Sequence, residues 1–434
     1  MRLLLLLLGA ELVQRRWQVL LVVGALWAVT GVAIASDAIG GARIIRPHYY
    51  GHLLLLQGVI TLIAGLLASQ RRIQLLAKAM ILLVPACVIV VLPRHSNMVI
   101  AMLIGGVMLL DGSVRILGAW VVRFVTWRMA IAAGAAEIIL AVVTLEPWPT
   151  WYVGTIGFNV GALLVISGTS TILLANRLGK LPPGAPISVL IGDKSSTALW
   201  VPAKQDDAGH EDLIVHVWTP TATGGAGPRR PLIDRYVAAV DARGRVSTGH
   251  AALELAPDVY ISHYPAVDVM QSLQEFGRAL RADVENNVQG RFLPSYRQES
   301  EDWCEATEHV RFTRIDRVRV RHFWRVYRSD TAYNLTSRNC STAVAHALDA
   351  ALEGALGRAN RPWLAVLGAV FTPELWAAGL LRRRAESMTW TPGLVLDYAR
   401  LLHVVVEQSS VQGEARWWSR VRGLRSSGLA HAPD

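Results

Sequence analysis

The sequence predicts a multi-domain chain. It consists of an all-α polytopic membrane bundle over residues 1–180, a linker over 181–210, an α+β domain over 211–360 and a helical extension over 361–434. Three observations predict this. Of 434 residues 52% are hydrophobic, well above what a water-soluble chain of this length needs. The net charge of +10 belongs to the first part, with 14 basic and 5 acidic residues through Lys180 against 29 and 28 beyond it. The hydrophobic pattern also changes, from long apolar stretches to short runs of β-branched residues.

Six stretches are long enough to cross a hydrocarbon core of about 30 Å: 17–36, 50–69, 73–92, 98–120, 127–145 and 151–174. Basic residues cluster at Arg15 and Arg16, Arg71 and Arg72, Arg115 to Arg128, and Arg177 to Lys180. The positive-inside rule places those sides, and both ends of the bundle, in the cytoplasm. Trp17, Trp120, Trp127 and Trp151 fall at span ends as interfacial anchors. The opening Leu-rich segment, followed by Glu11 and an arginine pair, reads as an uncleaved lead-in lying at the membrane interface.

Glycines seven residues apart recur at Gly24/Gly31, Gly58/Gly65, Gly105/Gly112 and Gly161/Gly168, giving small-residue faces that let helices approach closely, within one chain or between copies. With short loops they read as three helical hairpin repeats. This arrangement resembles the HdeD-like six-span membrane proteins over about residues 10–178, which implies a bacterial inner-membrane setting linked to acid and stress resistance. Ionisable groups at membrane depth mark either a buried pair or a pathway. Asp111 and Arg115, one turn apart, are expected to neutralise each other. Glu137 has no sequence-local partner and is the better proton-site candidate.

Beyond the Pro/Gly-rich linker, strands are expected at 213–219, 235–241, 249–255 and 259–264, and helices at 267–282, 317–328 and 341–352. The Gly-rich stretch 221–228 lacks the Lys-Ser/Thr ending of a phosphate loop. No basic block interleaved with aromatics points to nucleic acid, and no cofactor or metal is expected. Cys304 and Cys340 alone do not make a disulfide framework, which favours a reducing compartment.

Cys340 stands in Tyr333-Asn-Leu-Thr-Ser-Arg-Asn-Cys-Ser-Thr342 at the start of an expected helix, where free amides and the helix dipole favour thiolate. His250 lies in a Gly-His strand, and His263 in the next. A thiolate needs an imidazole to take and return its proton, and that imidazole needs an orienting group. The order resembles the circularly permuted papain-like hydrolases, including NlpC-related and lecithin:retinol acyltransferase-like groups, over about residues 211–355. That resemblance implies Cys340 as nucleophile, His250 as general base and His263 as orienting residue. Glu254, on the same strand face as His250, is the alternative. The choice depends on register: pairing of positions summing to 513 sets His250 opposite His263, whereas 514 puts them on opposite faces. Cys304 and His216 read as structural.

Thr372-Pro373 and Thr391-Pro392 look like helix starts, and the apolar segment 363–381 is expected to form a buried hairpin over the domain in preference to a membrane-contacting surface that feeds substrates to Cys340. The leading expectation is a membrane-anchored cysteine hydrolase, peptidase or amidase, facing the cytoplasm and acting on a peptide, protein or lipid substrate. The alternatives are a lipid acyltransferase or phospholipase of the same fold, and a proton-responsive membrane module built on Asp111 and Glu137.

Overall fold

The computed structural model describes residues 2–40, 47–67, 72–91, 93–124, 126–146, 151–181, 187, 211–219, 239–240, 246–247, 249–267, 281–359 and 362–408. Most of the linker, the Gly-rich loop 221–228 and nearly all of the expected helix 267–282 lie outside these residues. The chain forms two compact units. One comprises residues 16–117 and 128–179, and the other 1–15, 118–127 and 180–434.

Two short helices, α1 (Arg2–Leu8) and α2 (Ala10–Arg15), precede six long ones: α3 (Trp17–Gly40), α4 (Pro47–Leu67), α5 (Arg72–Val91), α6 (Pro93–Val122), α7 (Trp127–Leu145) and α8 (Trp151–Gly179). Among the described residues four helical segments are long and apolar enough to cross a membrane: Trp17–Gly40, Ile100–Val122, Trp127–Leu145 and Gly157–Gly179. Their outward positions, such as Val29, Leu110, Ile139 and Leu163, are exposed apolar side chains suited to lipid contact.

The glycine faces do meet partners, although not as three sequential hairpins. Gly24 packs on Gly168 and Gly31 on Gly161, joining α3 to α8. Gly58 meets Leu83, joining α4 to α5, and Gly112 meets Gly134, joining α6 to α7. The α3 and α8 faces are therefore consumed within the chain and are not left for contact between copies. A Cβ at Gly168 would lie 2.5 Å from the Gly24 carbonyl oxygen, which cannot step aside because it is backbone. Gly168→Leu is expected to cost at least the ~1–3 kcal/mol of an overpacked core, read as a lowered thermal midpoint in detergent. Gly106→Leu is the control, because nothing lies within 4 Å of its Cβ position.

Three charges in this unit form one cluster. Arg115 pairs with Asp111 at 2.9 Å and reaches Glu137 on the neighbouring helix at 3.0 Å. Glu137 thus has a partner that is distant in sequence, which removes the reason for singling it out as a proton site and supports a structural role.

The second unit is α+β. An antiparallel sheet has the order β5–β4–β1–β8, built from β1 (Leu213–Trp218), β4 (His250–Leu255), β5 (Val259–Ile261) and β8 (Glu308–Phe312). A small sheet joins β6 (His263–Pro265), β7 (Val288–Phe292) and β9 (Ala332–Tyr333), and β2 (Ala239–Val240) pairs with β3 (Val246–Ser247). Along β1 and β4 the alternation puts Leu213, Val215, Val217, Ala251, Leu253 and Leu255 on one face. There α11 (Cys340–Leu352) and α14 (Pro392–Gln408) pack, and all six side chains are fully buried. The other face carries His216, Trp218, His250 and Glu254. It is covered in part by α9 (Tyr296–Asp302), whose Tyr296 packs on the Trp218–Ala252–Tyr260 cluster. Helix α10 (Arg317–Tyr327) packs beside α11.

Two expectations need correction here. The opening segment is not an interfacial lead-in: Leu3, Leu5, Leu6 and Leu7 are buried in the α+β unit, and the Leu6 and Leu7 carbonyls accept hydrogen bonds from the amides of Gly354 and Leu356. A run of leucines satisfies a protein core as well as a membrane interface, and hydropathy does not distinguish the two. Gly9, at φ +85, permits the turn into α2 and approaches Gly354 too closely for a side chain. The segment 363–381 is not a buried hairpin either. It is α12 (Pro362–Phe371) and α13 (Pro373–Glu386), bent by 72°, with one face packed and the other exposed and apolar.

Candidate active site

Local hydrogen bonds explain why the Asn-Leu-Thr-Ser-Arg-Asn-Cys run presents a thiol. Asn334 Oδ1 accepts from the Thr336 and Ser337 amides at 3.1 Å, forming an Asx turn that brings Arg338 back to pair with Asn334. Asn339 then caps α11, its side chain accepting from the Thr342 amide at 2.7 Å while its Nδ2 donates to the Leu335 and Trp390 carbonyls. Cys340 is the first residue of the helix. It is buried, 8% exposed as a residue. The amides of Ala251 and Ser341 face the sulfur and favour its charged form, but burial outweighs them and pushes the thiol up.

His250 opens β4 directly after Gly249, whose φ of +70 turns the chain into the strand. The Gly-His pair thus has a backbone reason. The imidazole is buried, stacks on Tyr264 with centroids 4.0 Å apart, and lies next in sequence to the Ala251 amide that faces the thiol. Its Nε2 is held by Ser262 Oγ at 2.9 Å and Glu299 Oε1 at 3.3 Å. Burial first, and His263 second, push its pKa down to about 3. The resting pair is thus neutral thiol and neutral imidazole, not the preformed thiolate expected from the helix start. Desolvation of charge outweighs the dipole here.

Glu299 is the residue that sequence reasoning missed. It lies on α9, is 1% exposed, and accepts from Tyr260 Oη at 2.5 Å and Tyr264 Oη at 2.7 Å as well as facing His250. Its setting, Tyr-Arg-Gln-Glu-Ser-Glu-Asp, reads as a solvated helix, and nothing in that pattern separates Glu299 from Glu301.

The two expected orienting residues are elsewhere. The β4–β5 register pairs Leu253 with Ile261 and Leu255 with Val259, positions summing to 514, so His263 is not opposite His250. Its Nδ1 pairs with Tyr327 Oη at 3.0 Å in an aromatic box with Phe292 and Tyr333, and burial lowers its pKa to about 4. Glu254 instead meets His216 Nε2 at 3.1 Å, and His216 Nδ1 meets His309 Nδ1 at 2.9 Å. Neither His263 nor Glu254 hydrogen-bonds His250.

Cys304 is exposed rather than a buried small hydrophobe, and its carbonyl accepts from Trp218 Nε1 at 2.8 Å. Among the described residues no group of three or more His, Cys, Asp or Glu side chains is placed to hold a metal ion. No protein-family model, curated protein or solved structure matches the chain.

Proposed function

We propose that the chain is a membrane-anchored cysteine hydrolase in which Cys340 is the nucleophile, His250 the general base and Glu299 the orienting carboxylate. The observation that carries this reading is the clamp on one imidazole nitrogen. Glu299 and Ser262 fix Nε2, while the thiol heads a 13-residue helix against the amide next to His250. In the reaction Nδ1 takes the thiol proton as sulfur adds to a carbonyl carbon. The imidazolium then protonates the leaving amine or alkoxide as the C–N or C–O bond breaks. Water, deprotonated by the same nitrogen, cleaves the thioester and returns the thiol. Because the resting pair is neutral, proton transfer accompanies attack rather than preceding it.

The proposed substrate is a peptide, amide or acyl ester, whose carbonyl carbon a thiol can attack. The permuted papain-like fold and the HdeD-like setting in a bacterial inner membrane, with this site in the cytoplasm, belong to the same proposal. It is supported by the order His, His, Cys and by the glycine-packed helices. The pairing of Arg115 with both Asp111 and Glu137 counts against a proton-responsive membrane module as the working part.

The test is acyl trapping on the full-length protein in detergent. An activated ester should leave a thioester on Cys340, detected by peptide mass spectrometry. Cys340→Ala should abolish turnover, and His250→Ala should lower it about 10²–10⁴-fold. An adduct found equally on the exposed Cys304, or turnover that survives Cys340→Ala, would overturn the proposal.

A further inference from the structure

The bent pair α12–α13 carries an uncovered apolar edge. Leu364 and Phe371 on α12, and Trp376 and Leu380 on α13, point away from the α+β unit, with Phe371 83% and Leu380 69% exposed. The opposite faces are buried through Ala365, Ala369, Leu375 and Ala378. An apolar patch of this kind on a folded surface marks a contact site.

The bend between the two helices has its polar groups paired internally. The Thr372 amide donates to the Ala369 carbonyl at 3.0 Å and its hydroxyl to Gly368 at 2.8 Å. The Leu375 amide donates to Thr372 at 3.1 Å, and Trp376 Nε1 to the Val370 carbonyl at 2.7 Å. Pro373 has no amide hydrogen to satisfy. Water would pair such groups at no cost, whereas hydrocarbon requires the pairing to be internal.

Length and connectivity exclude a crossing. At about 1.5 Å per residue the helices of 10 and 14 residues each fall short of a ~30 Å core. The preceding α11 and following α14 also pack against the same sheet, so the pair leaves and returns on one side. Continuity with the membrane comes from Met388, two residues past α13, which lies 3.5 Å from the Cβ position of Gly118. Gly118 stands near the end of the apolar segment Ile100–Val122. Beyond it Trp120 and Trp127 meet edge to face, with Arg123 over both rings, as side chains do at a headgroup boundary.

We propose that α12–α13 is a monotopic wedge that docks the α+β unit on the bilayer crossed by the chain's own helices. Its apolar edge enters the boundary between headgroups and acyl chains. The exposed Arg383 and half-buried Arg384 meet the headgroups, and the half-buried Glu374 in the first turn of α13 keeps the wedge shallow. This inference is independent of the hydrolase reading.

The test uses the full-length chain in nanodiscs of phosphatidylcholine and phosphatidylglycerol. Nitroxide labels are placed one at a time at Phe371→Cys, Leu380→Cys and, at an exposed position of α9, Arg297→Cys, with Cys87→Ser, Cys304→Ser and Cys340→Ala as background. All three labelled positions are exposed, so labelling disturbs no core. At 371 and 380 collisions with oxygen should exceed those with a water-soluble nickel chelate severalfold, and at 297 the order should reverse. Nickel collisions at 371 and 380 equal to those at 297 would show the edge to be in water. Dipolar broadening between labels would show a second copy on it. Either result overturns the proposal.

Discussion

Glu299→Gln is expected to lower the rate of thioester formation at Cys340 about 10²–10³-fold, whereas Glu254→Gln leaves it nearly unchanged. An imidazolium forming 3.3 Å from the Glu299 carboxylate gains about 5 kcal/mol at an effective dielectric near 20 before solvation losses, of which roughly 3–4 survive as barrier lowering. Glutamine keeps one acceptor oxygen but cannot serve Tyr260, Tyr264 and His250 together, and it carries no charge. Single-turnover acylation measured against pH separates the roles. A purely structural Glu299 would lower the folded fraction without changing the per-site rate or its pH profile, and that result would remove it from the mechanism. Glu254 faces His216 instead, so a large loss in Glu254→Gln would point to a different base.

Acid should destabilise the α+β unit steeply below pH 6.5. His216, His250 and His263 are all buried, with pKa values pushed down to about 4, 3 and 4, chiefly by desolvation. These values lie below the ordinary 6.5 of an unfolded chain. As pH falls through 6.5 the unfolded state takes up protons that the folded state refuses, so the histidine contribution is flat above that point and declines from there toward pH 3–4. Two carboxyl groups act in the opposite sense. Burial raises Glu254 and lifts Glu386 to about 7, so their cost is relieved as pH falls. A net uptake of about two protons near pH 5.5 corresponds to roughly 3 kcal/mol per pH unit, a large share of a typical domain's ~5–15 kcal/mol. Urea midpoints of the detergent-solubilised protein at pH 7 and pH 5 check this. Equal midpoints would mean that the three imidazoles are open to water in solution.

What the sequence revealed follows from how locally each feature is encoded. The long apolar helices, the Gly-His strand opening and the Asn-Cys helix start are written in consecutive residues, and the structure has each of them. The carboxylate that meets His250 is not local. Glu299 arrives from a polar helix 49 positions away in the chain, and its burial depends on Tyr260 and Tyr264 closing over it. Register was equally hidden: a single-residue choice between 513 and 514 decided whether His263 faced His250, and both choices bury β-branched residues. Strand β8, Glu-His-Val-Arg-Phe, is not legible in the sequence because three of its five residues are polar, although Val310 and Phe312 alternate inward. The pairing of Arg115 with Glu137 joins two helices and has no signature in either.

The burial of α1 constrains how many times the chain crosses the bilayer. Residues 1–15, 118–127 and 180–434 form one compact body, which the proposed topology sets on one side of the membrane. The chain must then leave and come back an even number of times between residues 16 and 117, and again between 128 and 179. The second interval holds α7 and α8, and the first holds α3 and α6, with α4 and α5 between them. Under that topology the middle two either both cross or both stay, which gives four crossings or six.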